Sequence, residues 1–155
     1  MENKVKEVKE KLICGLTESQ IATLKRQHGF LVIVTIQQGG VELKEKINHL
    51  ETLLLDQGDK LQAQKPKLYE ELQNAKEEYE SKHMFHAIFK EPTFEVLEAT
   101  GAIGKNSEIK GTVALYDNCI IKADDEISGR DFAKLKALEG LAKHMNSFSV
   151  DVKNL

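Results

Sequence analysis

Residues 41–82 read VELKEKINHLETLLLDQGDKLQAQKPKLYEELQNAKEEYESK, a charged stretch in which apolar residues recur every three or four positions. This spacing is typical of a coiled-coil seam. Gly58 and Pro66 lie between two such series, and both residue types interrupt helices. The pattern predicts two helices folded back as an antiparallel hairpin, with its turn between Gly58 and Pro66. The two series are Leu43, Ile47, Leu50, Leu54 and Leu68, Leu72, Ala75, Tyr79.

The segments on either side of the hairpin have the composition of strands. Residues 30–36 (FLVIVTI) are apolar, β-branched or aromatic, and glycines flank them. Since both faces of this strand are apolar, we expect it to be central or covered on both sides. Residues 84–89 (MFHAIF) alternate, with Phe85, Ala87 and Phe89 on one face. We expect the two strands to pair antiparallel, with the hairpin joining them.

Helix signals precede and follow this core. Thr17 and Gln20 have the spacing of a capping box, which predicts a helix from about residue 18 to 28 that ends at Gly29. Pro92 and Thr93 begin another helix, on which Phe94 and Leu97 share a face. Residues 105–111 read as a loop, and the apolar patch at 113–121 is assigned to a short helix.

The last helix is predicted from Ser128, which can cap it, and Asp131, which completes a capping box. After it, residues 148–152 (FSVDV) alternate like a strand that adds to the sheet edge or docks as a tail. The predicted buried stripe of the helix is Phe132, Leu135, Leu138, Leu141 and Met145.

Together these elements predict an α+β fold in which a small antiparallel sheet packs with helices. We expect residues 1–155 to form a single domain, with residues 41–82 as an inserted, coiled-coil-like helical hairpin. Hydrophobic residues make up 41% of the chain and charged residues 30%, which is the balance of a globular protein.

Charge and hydropathy exclude some classes of partner. The chain has 22 basic and 25 acidic residues, and a surface with this balance is poorly suited to neutralising phosphates. No apolar run reaches the roughly 18 residues of a membrane helix, and the charged first residues are unlike a secretory signal. We therefore expect a cytoplasmic protein that binds neither nucleic acid nor membrane.

Candidate catalytic and metal-binding residues lack the patterns that such sites need. His83 and His86 would lie on opposite faces of a strand, and the acidic run 124–126 lacks the spacing of a calcium loop. Cys14 and Cys119 are far apart in sequence and are expected to be reduced thiols in or near packing surfaces. We therefore expect a protein that is not an enzyme and uses no cofactor or metal. The alternatives are a small enzyme or metal protein whose site is assembled from distant residues, and a structural oligomerisation module.

The hairpin offers the best candidate for a protein-binding surface. Its seam can be satisfied within the hairpin alone or by another chain. Leu53, Leu55 and Tyr69 lie beyond the seam positions, so they are the predicted protein-binding residues. A homo-oligomer formed through the hairpin is one possible use of this surface.

Residues 89–100 (FKEPTFEVLEAT), 115–120 (LYDNCI) and 124–127 (DDEI) resemble segments of small tail-assembly-chaperone-like proteins of tailed phages and prophages. The resemblance extends to residues 27–29 and the strand that follows them, whereas the hairpin and residues 148–152 depart from the family pattern. It implies a non-enzymatic cytoplasmic factor that holds an aggregation-prone phage tail protein before assembly.

Overall fold

The computed structural model describes residues 12–56 and 65–154. The chain divides into two compact units: the body, Met1–Thr35 with His86–Leu155, and the hairpin unit, Ile36–Phe85. The assignment of a single domain stays a prediction. The elements in chain order are α1 (Glu18–His28), β1 (Leu31–Gln37), α2 (Val41–Asp56), α3 (Lys65–His83), β2 (Met84–Lys90), α4 (Phe94–Asn106), α5 (Glu108–Cys119), β3 (Ile120–Ala123), α6 (Asp125–Ser128) and α7 (Asp131–Met145).

The three strands form an antiparallel sheet in the order β1-β2-β3, which confirms the α+β class. β2 is the central strand, and Ala87, Ile88 and Phe89 are fully buried because both of its faces are covered. The prediction that β1 is central was wrong, since β1 forms one edge of the sheet among the described strands. The alternative, that β1 is covered on both sides, was also wrong, since Val32 and Val34 are buried on one face of β1 while Ile33 on the other is exposed.

The hairpin unit contains the two predicted helices. α2 and α3 pack against each other antiparallel, as the ion pair between Lys76 Nζ and Glu51 Oε1 at 3.1 Å illustrates. The inserted antiparallel hairpin is thereby confirmed, and its turn lies outside the described residues. At its foot, the Gln38 N–H donates to the His83 carbonyl at 2.9 Å. Four of the predicted seam residues are buried: Leu50, Leu72, Ala75 and Tyr79.

In the body, α1 begins and ends where its local signals indicate. The Gln20 N–H donates to Thr17 Oγ1, and the Thr17 N–H donates to Gln20 Oε1, so both hydrogen bonds of the capping box form. Gly29 follows the helix with a φ of 81°, a conformation that glycine adopts at no steric cost.

The predicted loop at residues 105–111 was wrong. α4 continues to Asn106, and Ser107 alone separates it from α5, where Ser107 Oγ accepts from the Lys110 N–H at 3.3 Å. The glycines in this region allow the two helices to approach: a Cβ on Gly111 would lie 2.7 Å from the Cα of Gly104. The predicted helix at 113–121 is part of α5, which ends at Cys119, so the last two residues of that patch belong to β3.

The start of the last helix also differs from the prediction. Ser128 ends α6, and the residue at the N-cap of α7 is Arg130. The buried face of α7 consists of Ala137, Leu138 and Leu141, so the predicted stripe was correct only in its middle, and Phe132 and Leu135 are exposed. The alternating residues 148–152 form neither helix nor strand.

Candidate protein-binding surfaces

Two of the three predicted binding residues are well exposed in the hairpin unit. Leu55 is 84% exposed and Tyr69 is 51% exposed, whereas Leu53 is half-buried. Leu55 comes near the end of α2 and Tyr69 near the start of α3, so both lie in the half of the hairpin close to its turn. The structure therefore places Leu55 and Tyr69 outside the seam and leaves Leu53 at its border.

A polar cleft of about 300 Å³ lies at the other end of the hairpin unit. Gln37 Oε1 accepts hydrogen bonds there from Tyr79 Oη at 3.1 Å and Lys44 Nζ at 3.4 Å. These polar groups already bind one another, so the cleft is organised as part of the fold. Its lining consists of Gln37, Gly39, Val41, Lys44, Glu45, Asn48 and Tyr79.

An apolar groove of about 180 Å³ lies in the body between α5 and α7. Ile109, which is 76% exposed, lies on its α5 side together with Val113, and Leu135 lies on its α7 side. Tyr116 is buried beneath the groove, where its ring meets that of Phe89 edge-on at 5.7 Å between centroids. This groove was not predicted, because Ile109 fell in a predicted loop and Leu135 in the predicted buried stripe.

The rim of the groove is charged. Asp117, Asp131 and Lys134 line it, and Lys134 Nζ lies 5.4 Å from the centroid of the Tyr116 ring. At that distance the ammonium group is attracted by the face of the ring. Burial raises the pKa of Tyr116, with a further contribution from the neighbouring charge of Asp117. The groove thus combines an apolar floor with one cation and two carboxylates.

Residues of three types used in catalysis meet in the body, which bears on the enzyme alternative. Cys14 Sγ donates to the His86 carbonyl at 3.1 Å, and the His86 N–H donates to Asp124 Oδ2 at 2.6 Å. The contacts run through the main chain of His86, while its ring nitrogen Nδ1 pairs with Thr35 Oγ1 at 2.9 Å. The hydrogen bond between Cys14 and His86 therefore runs to the main chain and not to the imidazole ring, which a thiolate–imidazole pair would require.

The electrostatics of Cys14 also work against nucleophilic chemistry. Burial raises its pKa to about 11, and the nearby charge of Asp124 adds to the effect. Because the thiolate is the nucleophilic form, a thiol that stays protonated at neutral pH is inert. Cys14 has a φ of 53°, an uncommon conformation for a non-glycine residue, and its hydrogen bond to His86 helps to hold it.

The other candidate ligands do not converge. His83 ends α3, where its Nδ1 lies 3.0 Å from the Gln38 carbonyl oxygen, and Cys119 is a fully buried thiol whose pKa is raised by burial. Both cysteines are free and buried, as expected. Within residues 12–56 and 65–154, no group of three or more His, Cys, Asp or Glu residues is arranged to hold a metal ion.

Comparison of the chain with protein-family models, with curated proteins and with solved structures found no match. The resemblance to tail-assembly-chaperone-like proteins therefore stays a prediction. In the part of the chain that the structure describes, none of the helices has the length and apolar character needed to cross a lipid bilayer. The fold defines the class as an α+β protein with a helical hairpin, and apolar residues are exposed on both of its units.

Proposed function

We propose that this chain is a non-enzymatic protein-binding factor that uses the end of its hairpin unit near the turn to hold an apolar segment of another protein. The observation that carries the proposal is the exposure of Leu55 and Tyr69 in that half of the hairpin. Covering apolar surface is worth roughly 25 cal/mol per Å². Because Leu55 and Tyr69 lie on two packed helices in the same half of the hairpin, they can contribute to one apolar surface, and contiguous apolar surfaces mark interaction sites.

The packing of the hairpin supports a binding role for these side chains. Leu50, Leu72, Ala75 and Tyr79 are buried, so the two helices hold together through the predicted seam. Leu55 directly follows the seam position Leu54, and a step of one residue turns a side chain about 100° around the helix. Leu55 therefore adds little to the folding of the hairpin and is available to a partner.

The biological role proposed is that of a tail assembly chaperone of a phage or prophage, acting in the cytoplasm. Its support is the resemblance carried by residues 89–100, 115–120 and 124–127. The partner would be an aggregation-prone tail protein, whose exposed apolar segments are chemically suited to the Leu55 and Tyr69 side chains. Gene order tests this role: a gene lying between those for the major tail protein and the tape-measure protein is expected, and a locus without tail genes contradicts it.

The test of the binding surface replaces Leu55 by Glu and co-expresses the variant with the neighbouring tail proteins. We expect Leu55→Glu to lose the ability to keep the tail protein soluble, because the charge must be desolvated on binding. Its thermal stability should change by less than about 0.5 kcal/mol, as is usual for an exposed site. The matched control is Val41→Glu, an exposed residue at the other end of the same helix, which should keep the activity.

Leu53→Glu separates binding from folding. Because Leu53 is half-buried, this variant should lower the melting temperature as well as binding, whereas Leu55→Glu should lower binding alone. If Leu55→Glu unfolds the protein, Leu55 belongs to the core and the proposal fails. The proposal also fails if Leu55→Glu and Tyr69→Glu keep the tail protein as soluble as the wild type does.

A further inference from the structure

The groove between α5 and α7 has an apolar floor that nothing in the described chain covers. Ile109 and Val113 on α5 face solvent beside Leu135 on α7, next to a space of about 180 Å³. On α5 the lining of the groove extends from Ile109 to Tyr116, a distance of about 10 Å at 1.5 Å per residue. A narrow apolar segment of similar length would fit along it.

The chain itself carries such a segment after α7. Phe148, Val150 and Val152 are 71%, 89% and 75% exposed, and the residues between them are polar. In an extended conformation the three apolar side chains lie on one face, spread over about 13 Å at 3.3 Å per residue. Their spread is close to the length of the groove.

The charges of the two surfaces are complementary. Asp151 and Lys153 of the tail are two residues apart, which is about 7 Å in an extended chain. Lys134 and Asp131 on the rim are one helical turn apart, which places their Cβ atoms about 5–6 Å from each other. With its apolar side chains on the floor, the tail would carry Asp151 and Lys153 on its outer face, at the level of the rim. A tail running opposite to α7 would then set Asp151 on the side of Lys134 and Lys153 on the side of Asp131.

The tail does not lie in its own groove. The rings of His144 and Phe148 meet edge-on with their centroids 5.7 Å apart, so Phe148 lies beside the last turn of α7. The groove uses the first half of the same helix, and Leu135 precedes His144 by about 13 Å along the axis. To reach its own groove, the tail would have to turn back along α7 over this distance. The tail of a second copy can enter the groove without turning back along its own helix.

We infer that the groove between α5 and α7 binds residues 148–153 of a second copy of this chain. Two copies that exchange their tails bury both apolar segments in one closed, two-fold dimer. Self-association then lies in the body, apart from the client-binding residues of the hairpin unit. The inference does not depend on the proposed function.

The experiment measures the mass of the full chain by light scattering over a range of concentrations. We expect the wild type to be a dimer and the tail variant Val150→Ser/Val152→Ser to dissociate, with affinity falling about tenfold for each valine lost. Since both valines are exposed in the described structure, the melting temperature extrapolated to low concentration should not change. Leu55→Glu is the control and should remain dimeric.

A charge exchange tests the register. Lys134→Glu and Asp151→Lys should each weaken the dimer about two- to fivefold, and the double variant should recover most of the loss. A labelled peptide of residues 147–154 (SFSVDVKN) should bind the tail variant, whose groove is then open, and should not bind it when Ile109 is replaced by Glu.

Several results would overturn the inference. A wild-type monomer at every concentration would do so, provided that the peptide also fails to bind. A dimer that survives the tail variant would exclude the tail as the occupant. If Leu55→Glu gives monomers and the tail variant does not, self-association belongs to the hairpin.

Discussion

Replacing Gly140 by Ala tests how closely α7 packs on the sheet. In the interior of an exposed helix this change normally stabilises by about 1 kcal/mol, because glycine loses more backbone freedom on folding. At Gly140, however, an added Cβ would lie 3.0 Å from Val34 Cγ2 and 3.2 Å from Val34 Cβ, with Val34 Cγ1 closer still. Val34 is buried on β1, and its β-branched side chain has few alternative rotamers.

The two effects oppose each other, and the overlap should win. Forcing an extra carbon into a packed site typically costs about 1–3 kcal/mol, so the expected net change is a loss of about 1 kcal/mol. For a chain of 155 residues this corresponds to a melting temperature about 3 °C lower. The assay is thermal unfolding followed by circular dichroism, with urea unfolding as a second measurement.

Gly101 provides the matched control. It also lies inside a helix of the body, and an added Cβ there would meet nothing within 4 Å. Gly101→Ala should therefore raise the melting temperature by about 3 °C. In a Val34→Ala background, the cost of Gly140→Ala should largely disappear, because the two γ carbons that it meets are gone. If Gly140→Ala stabilises the wild type as much as Gly101→Ala does, the packing of α7 against β1 is not as close as described.

Three further changes test the body. Gly111→Ala should destabilise by about 1–3 kcal/mol in chemical unfolding, because its Cβ would meet the backbone of Gly104 at 2.7 Å, and equal stability would contradict the close approach of α4 and α5. Thr17→Ala should lower the free energy of unfolding by about 1 kcal/mol, measured in the same way, because the helix cap is lost. Thr17→Ser should keep most of this stability, because serine also has a capping hydroxyl. Burial raises the pKa of Cys14 from 9.0 to about 11, so the thiol of the unfolded chain loses its proton at lower pH than the thiol of the folded chain. The contribution of the protonated thiol to the free energy of unfolding is therefore complete below pH 9. It should fall by about 1.4 kcal/mol per pH unit between pH 9 and pH 11. Cys14→Ala should remove that part of the pH dependence, and an unchanged profile would show that the thiol is not buried.

The elements that the sequence predicted well are those set by local signals. The heptad spacing of residues 41–82 specified both helices of the hairpin, because a seam needs only its own two helices to be buried. The capping box at Thr17 likewise specified the start of α1 through two hydrogen bonds within four residues. Neither prediction required knowledge of the rest of the fold.

The errors arise where tertiary packing decides the structure. Residues 105–111 were assigned to a loop, whereas the missing side chains of Gly104 and Gly111 let two helices, α4 and α5, approach each other there. β3 is only four residues long, too short for its periodicity to be separated from that of the preceding helix. Because β3 could not be recognised, β1 was placed at the centre of the sheet, a position that belongs to β2.

The binding surfaces follow the same division. The exposure of Leu55 and Tyr69 could be predicted from the sequence, because a seam position defines, by rotation about one helix, which neighbours lie outside it. Their role in binding stays a prediction. The groove in the body could not, since it is formed by two helices that are separated by β3 and α6 along the chain. Its floor includes Leu135, which the helical period alone assigned to the buried face of α7.

Placing the two apolar surfaces on different units has a consequence for how they can be used. Leu55 and Tyr69 belong to the hairpin unit, while the groove and the tail that we assign to it belong to the body. A factor that holds a client must keep its client site open, and a dimer made through the same residues would cover it. Self-association through the body would not use Leu55 and Tyr69, so a dimer would carry two client sites and bind a repetitive apolar partner with greater avidity than a monomer.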